Sequence, residues 1–76
     1  MYIWMFPENY DDIPDWWHEF TNYCYEESIK TKWQFMSVIR FELRNAGIKL
    51  ITSKKRSWYL RCGTEAELST FIFKWV

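Results

Sequence analysis

Gly47-Ile48-Lys49-Leu50-Ile51-Thr52-Ser53-Lys54-Lys55-Arg56-Ser57-Trp58-Tyr59-Leu60-Arg61-Cys62 reads as a β-hairpin with arms at residues 48–52 and 57–62. Apolar and polar side chains alternate along both arms, the two-residue period of a half-buried strand. Ile48, Leu50, Trp58, Leu60 and Cys62 are assigned to an inner face, and Lys49, Ile51, Tyr59 and Arg61 to an outer one. The turn Ser53-Lys54-Lys55-Arg56 lacks the Asn-Gly signal of a two-residue hairpin, so a four-residue loop is expected.

On either side of this hairpin a glycine marks a helix boundary. Downstream of Gly63, Thr64-Glu65-Ala66-Glu67 has the spacing of a capping box, in which the threonine hydroxyl accepts the Glu67 amide and the glutamate reaches back. Leu68, Phe71, Ile72 and Trp75 then form one helical stripe, with Phe73 off it. Upstream, Gly47 suits the left-handed residue that ends a helix, which would start near Ser28. Its buried stripe reads Ile29, Trp33, Met36, Ile39, Leu43 and Ala46, widened by Phe35. Phe41 falls on the polar side, either covered by another element or left as a contact for a partner.

Before that, Asp12 is placed as N-cap, Pro14 in the first turn and Asp15 near the positive end of the helix dipole. Ile13, Trp16, Trp17, Phe20 and Cys24 recur on one face, and Asp15, Glu19 and Glu26 give an acidic outer face. No Gly or Pro separates the two helical patterns, so residues 13–46 form either two helices or one kinked helix. The opening Tyr2-Ile3-Trp4-Met5-Phe6 is a strand, apolar on both faces, and thus either covered on both sides or open to a partner.

The order is therefore β-α-α-β-β-α, a single α+β domain over residues 1–76. A helical crossover followed by a hairpin places the third strand in the middle of a three-stranded antiparallel/mixed sheet of order 1-3-2. The first and second strands are then parallel to each other and antiparallel to the third, and the helices pack mainly on one face.

Six Trp, five Tyr and six Phe among 76 residues supply a core without disulfides, since one buried ring removes about 150–250 Å² from water. So small a domain hides only about 60 % of its chain surface. Some rings are then left for an interface, where Trp and Tyr are favoured anchors. Cys24 and Cys62, far apart in sequence, are expected to be reduced and buried, which implies a cytoplasmic setting. Residues 2–6 lack the basic flank and cleavage site of a signal peptide, and no apolar run spans a bilayer.

The net charge is zero but unevenly spread: residues 1–27 carry seven acids and no Lys or Arg, whereas residues 28–63 carry nine cations against Glu42 alone. Either this asymmetry marks an interaction surface, or the acidic helix covers the basic elements.

Catalytic chemistry finds no constellation. His18 is the only histidine and lies six residues from Cys24, off a common helical face, so neither a zinc set nor a catalytic triad can be assembled. No Gly-rich phosphate loop occurs, and no cofactor or metal is expected. Two binding readings remain. Lys49, Lys54, Lys55, Arg56 and Arg61 could meet nucleic-acid phosphates while Trp58 or Tyr59 stacks on a base; the balanced charge and the acidic first segment oppose this. A protein partner accounts for aromatics, separated charge and size together, contacting Lys49, Ile51, Lys54, Lys55, Arg56, Tyr59, Arg61, Tyr2 and Trp4. A sheet edge could also pair with a second copy to form a homodimer.

Finally, Trp58-Tyr59-Leu60-Arg61-Cys62, Glu65-Ala66-Glu67-Leu68 and Phe71-Ile72-Phe73-Lys74-Trp75 resemble the strand, acidic cap and helix that end many small accessory proteins of tailed bacteriophages. Cys62 departs from that pattern, where an aromatic is commoner. The resemblance covers residues 58–75 and implies a small protein made in the host cytoplasm during infection, binding and modulating a host enzyme or defence complex. It carries over no catalytic residue.

Overall fold

The chain, described here by a computed structural model over residues 1–53 and 58–76, begins with strand β1, Tyr2–Met5. A 3₁₀ turn at Tyr10–Asp12 leads into α1, Asp15–Thr31, followed by α2, Phe35–Asn45. Strands β2, Lys49–Ile51, and β3, Tyr59–Cys62, precede α3, Glu65–Phe73. The expected β-α-α-β-β-α order and the β1-β3-β2 sheet are both found, with β3 antiparallel to each neighbour. The expected turn residues Lys54, Lys55 and Arg56, with Ser57, lie outside the described residues.

All three helices cover the same sheet face. One core joins Trp17, Phe20 and Cys24 of α1, Val38, Ile39 and Leu43 of α2, and Leu68 and Phe71 of α3 to Ile48, Leu50, Leu60 and Cys62. Phe20 is at its centre, its ring 5.3 Å from Trp17, 5.0 Å from Phe71 and 5.2 Å from Trp75.

Residues 13–46 form two helices, and their junction falls later than Ser28. The Ser28 hydroxyl donates to the Tyr25 carbonyl at 2.6 Å instead of capping a new helix, so α1 continues to Thr31. It ends at Lys32, whose φ of 61° is left-handed. This extension corrects two core assignments. Ile29 now belongs to α1, five residues past Cys24 and well round the helix from the buried stripe, and is 62 % exposed. Trp33 falls in the connection and is 54 % exposed. Val38 takes up core space that the sequence pattern did not allot to it.

The start of α1 also differs. Ile13 precedes Pro14, and a residue before proline is pushed from helical to extended backbone. Ile13 accordingly has ψ 127°, Asp12 closes the 3₁₀ turn, and Pro14 is the N-cap.

At the other junctions the expectations hold. Gly47, at φ 78°, donates to the Arg44 carbonyl at 2.9 Å while the Ile48 amide donates to Leu43 at 2.9 Å. This is the paired closure of a helix C-terminus around a left-handed glycine. Thr64 Oγ1 accepts the Glu67 amide at 3.3 Å, as the capping box requires. The Glu67 carboxylate reaches one residue further back than expected, accepting the Gly63 amide at 3.1 Å.

Candidate functional site: the uncovered sheet face

Because strand side chains alternate between faces, covering one sheet face with helices leaves the other as a separate surface. Strand register fixes its composition. Ile3, Arg61 and Lys49 form one row across the three strands, and Met5, Tyr59 and Ile51 form the next. Lys49, Ile51, Tyr59 and Arg61 thus occupy the outer face, as the alternation of the hairpin predicts. Ile3 and Met5 complete an apolar patch with Ile51 and Tyr59, flanked on one side by the cations Arg61 and Lys49. Ile3 is 48 % and Met5 56 % exposed, large values for residues in a paired strand.

Three assigned residues are placed differently. Tyr2 and Trp4 share rows with Cys62 and Leu60 and pack against the core, so they face the helices. Trp4 meets the rings of Phe6 at 4.6 Å and Trp16 at 5.3 Å. A strand apolar on both faces gives no sign of which set points inward; the register against β3 decides it, and Ile3 and Met5 are the outward pair. Trp58 does not join the buried set. It precedes β3, is 36 % exposed, and borders a surface hollow with Phe6, Pro7, Ile13 and Trp17.

The two sheet edges are unequal. The Phe6 amide donates to the Trp58 carbonyl at 3.0 Å. Even-numbered residues of β1 and β3 therefore bond to each other, and the Leu50 carbonyl of β2 points away from β3. Arg40 fills that position: Nη1 donates to the Leu50 carbonyl at 2.8 Å and Nη2 to Thr52 Oγ1 at 3.5 Å. A side chain from α2 thus occupies the outward Leu50 carbonyl of the β2 edge, while by the same alternation β1 directs the Ile3 and Met5 backbone groups outward.

Beside β2 runs a groove of about 460 Å³ lined by Arg40, Arg44, Gly47, Ile48, Lys49 and Leu50. A neighbouring hollow adds Arg61 and shares Gly47 and Lys49 with it.

Among the described residues no group of three His, Cys, Asp or Glu is arranged to hold a metal ion. His18 makes an edge contact with Tyr10 at 5.6 Å between ring centroids. Both cysteines are free and buried, and burial is the main cause that pushes the Cys24 thiol up to about 12. A thiol held protonated is a poor nucleophile. Among the described residues no helix is long and apolar enough to cross a membrane. Comparison with protein-family models, curated proteins and solved structures finds no match for this chain.

Proposed function

We propose that this is a non-enzymatic protein-interaction module that engages its partner with the uncovered sheet face. The observation that carries the reading is the patch of Ile3, Met5, Ile51 and Tyr59 beside Arg61 and Lys49. Apolar side chains exposed together mark contact surfaces more than scattered ones do. An apolar centre with a polar margin is also the usual build of a protein interface. Tyr59 is the natural anchor, since a tyrosine brings contact area and a hydroxyl at low entropic cost. The resemblance of residues 58–75 to phage accessory proteins supplies a setting: the host cytoplasm, with a host enzyme or defence complex as target and inhibition as the outcome.

The test is affinity capture from bacterial lysate with the wild-type chain and with Tyr59→Ala plus Met5→Ala, followed by mass spectrometry. The expected result is a partner that the wild type enriches and the double variant loses, with both chains equally folded by circular dichroism. Equal capture by the two chains, or enrichment of nucleic acid without protein, overturns the reading.

A further inference from the structure

Two local rules of charge placement are broken side by side at the β2 edge. Arg40 and Arg44 are one helical turn apart on α2, and like charges at that spacing repel. Lys49 and Arg61 are directly opposed across β2 and β3, where like charges are again unfavourable. Sequence spacing shows the first pair; the sheet register reveals the second, and the fold sets Arg40, Arg44 and Lys49 around one groove with Arg61 in the hollow that adjoins it at Gly47 and Lys49. Among the described residues, no carboxylate is in the lining of the groove or of the adjoining hollow. The Glu67 carboxylate lies beside Gly47 and Gly63 at the end of these hollows, where it accepts the Gly63 amide. Among the described residues the ion pair within 4.0 Å is Glu27 with Lys30, on α1 and away from the groove. Arrangements of this kind gain stability when an anion enters between the cations.

We infer that this groove binds an acidic polypeptide segment, with its carboxylates received by Arg40, Arg44 and Lys49 and, where the segment continues into the adjoining hollow, by Arg61. The inference rests on the interaction-module reading and names the chemistry of the partner. Arg40 is oriented before any ligand arrives, because its bonds to Leu50 and Thr52 fix the guanidinium plane. Those bonds use two of its five N–H donors. A planar guanidinium offers carboxylates paired, parallel hydrogen bonds. Buried Ile48 and Leu50 give the groove an apolar floor, which strengthens charge interactions above it. Since the Leu50 carbonyl is already occupied, recognition is by side chains rather than by strand addition.

Two observations favour an acidic peptide over nucleic acid. Among the described residues no aromatic ring lines either hollow to stack a base. A polyanion longer than the groove would also meet the field of residues 1–27, which hold seven acids and no Lys or Arg.

The experiment measures fluorescence anisotropy of labelled hexaglutamate with the full chain at low and near-physiological salt. Saturable binding that weakens with salt is expected. Arg44→Gln with Lys49→Gln should weaken it about tenfold, from the loss of two exposed charge contacts. Lys30→Gln with Lys32→Gln, the same charge change at the C-terminal end of α1 and its cap, should change it less than about twofold. All four positions are exposed. Thermal midpoints of both variants verify folding, and a rise in the wild-type midpoint with added hexaglutamate tests the site without any substitution. Absence of saturable binding, or equal loss in the two double variants, overturns the inference. So does tighter binding of a single-stranded oligonucleotide of equal charge, which would assign the groove to nucleic acid. Hexaglutamate has no apolar side chain; its failure to bind while sheet-face capture of a partner persists would remove this inference alone.

Discussion

The Cys24 thiol has no exposed surface, and its surroundings make ionisation costly: burial is the larger cause, with the Glu42 and Glu27 carboxylates adding to it. The folded chain holds this proton to about pH 12, whereas an unburied thiol releases it near 9.0. Between those values the unfolded chain has lost a proton that the folded chain keeps. Stability from this group is therefore complete below about pH 9 and falls as pH rises toward 12. Urea midpoints measured from pH 8 to 11 should decline more steeply for the wild type than for Cys24→Ala; parallel slopes would refute this account. The burial of Cys24 is legible from its place on the Ile13, Trp16, Trp17, Phe20 stripe. The Glu42 contribution is not, because it arises where α2 packs back on α1.

At the level of the element, the clearest local signals lie at α3 and at the end of α2. Thr64 and Glu67 act within four residues of each other, so their hydrogen bonds need no tertiary information. Thr64→Ala should cost about 1 kcal/mol by leaving an α3 amide without its side-chain acceptor. Thermal denaturation would measure the loss, and Thr64→Ser, which keeps the oxygen, should recover most of it. The α1–α2 junction shows the opposite case. Its residues have no obligate breaker, and Lys32 adopts a left-handed conformation that sequence alone does not demand. Serine can cap a helix or bond back to a preceding carbonyl within one, and Ser28 does the second. That choice moved Ile29 and Trp33 out of the core.

For the whole molecule, an aromatic centre holds together a domain with little stability to spare. A chain of this length has roughly 4–11 kcal/mol at 0.05–0.15 kcal/mol per residue. Phe20 is fully buried among Trp17, Phe71 and Trp75. Phe20→Ala should remove about 3–5 kcal/mol, a large share of that total. The variant should lose most near-ultraviolet circular dichroism at 37 °C; a spectrum and urea midpoint like the wild type's would contradict this packing account.

The sequence by itself determined the order of helices and strands, the hairpin faces apart from Trp58, and the two glycine-marked boundaries, because periodicity, capping and turn chemistry act over a few residues. It also placed Lys49, Ile51, Tyr59 and Arg61 on the outer face, through the two-residue period of the strands. Only the tertiary structure decided that Ile3 and Met5, rather than Tyr2 and Trp4, look outward, because a strand apolar on both sides takes its orientation from its register with β3. It alone brought Arg40 and Arg44 of α2 beside Lys49 of β2, with Arg61 in the adjoining hollow, since charges distant in the chain meet only when the helix docks along β2.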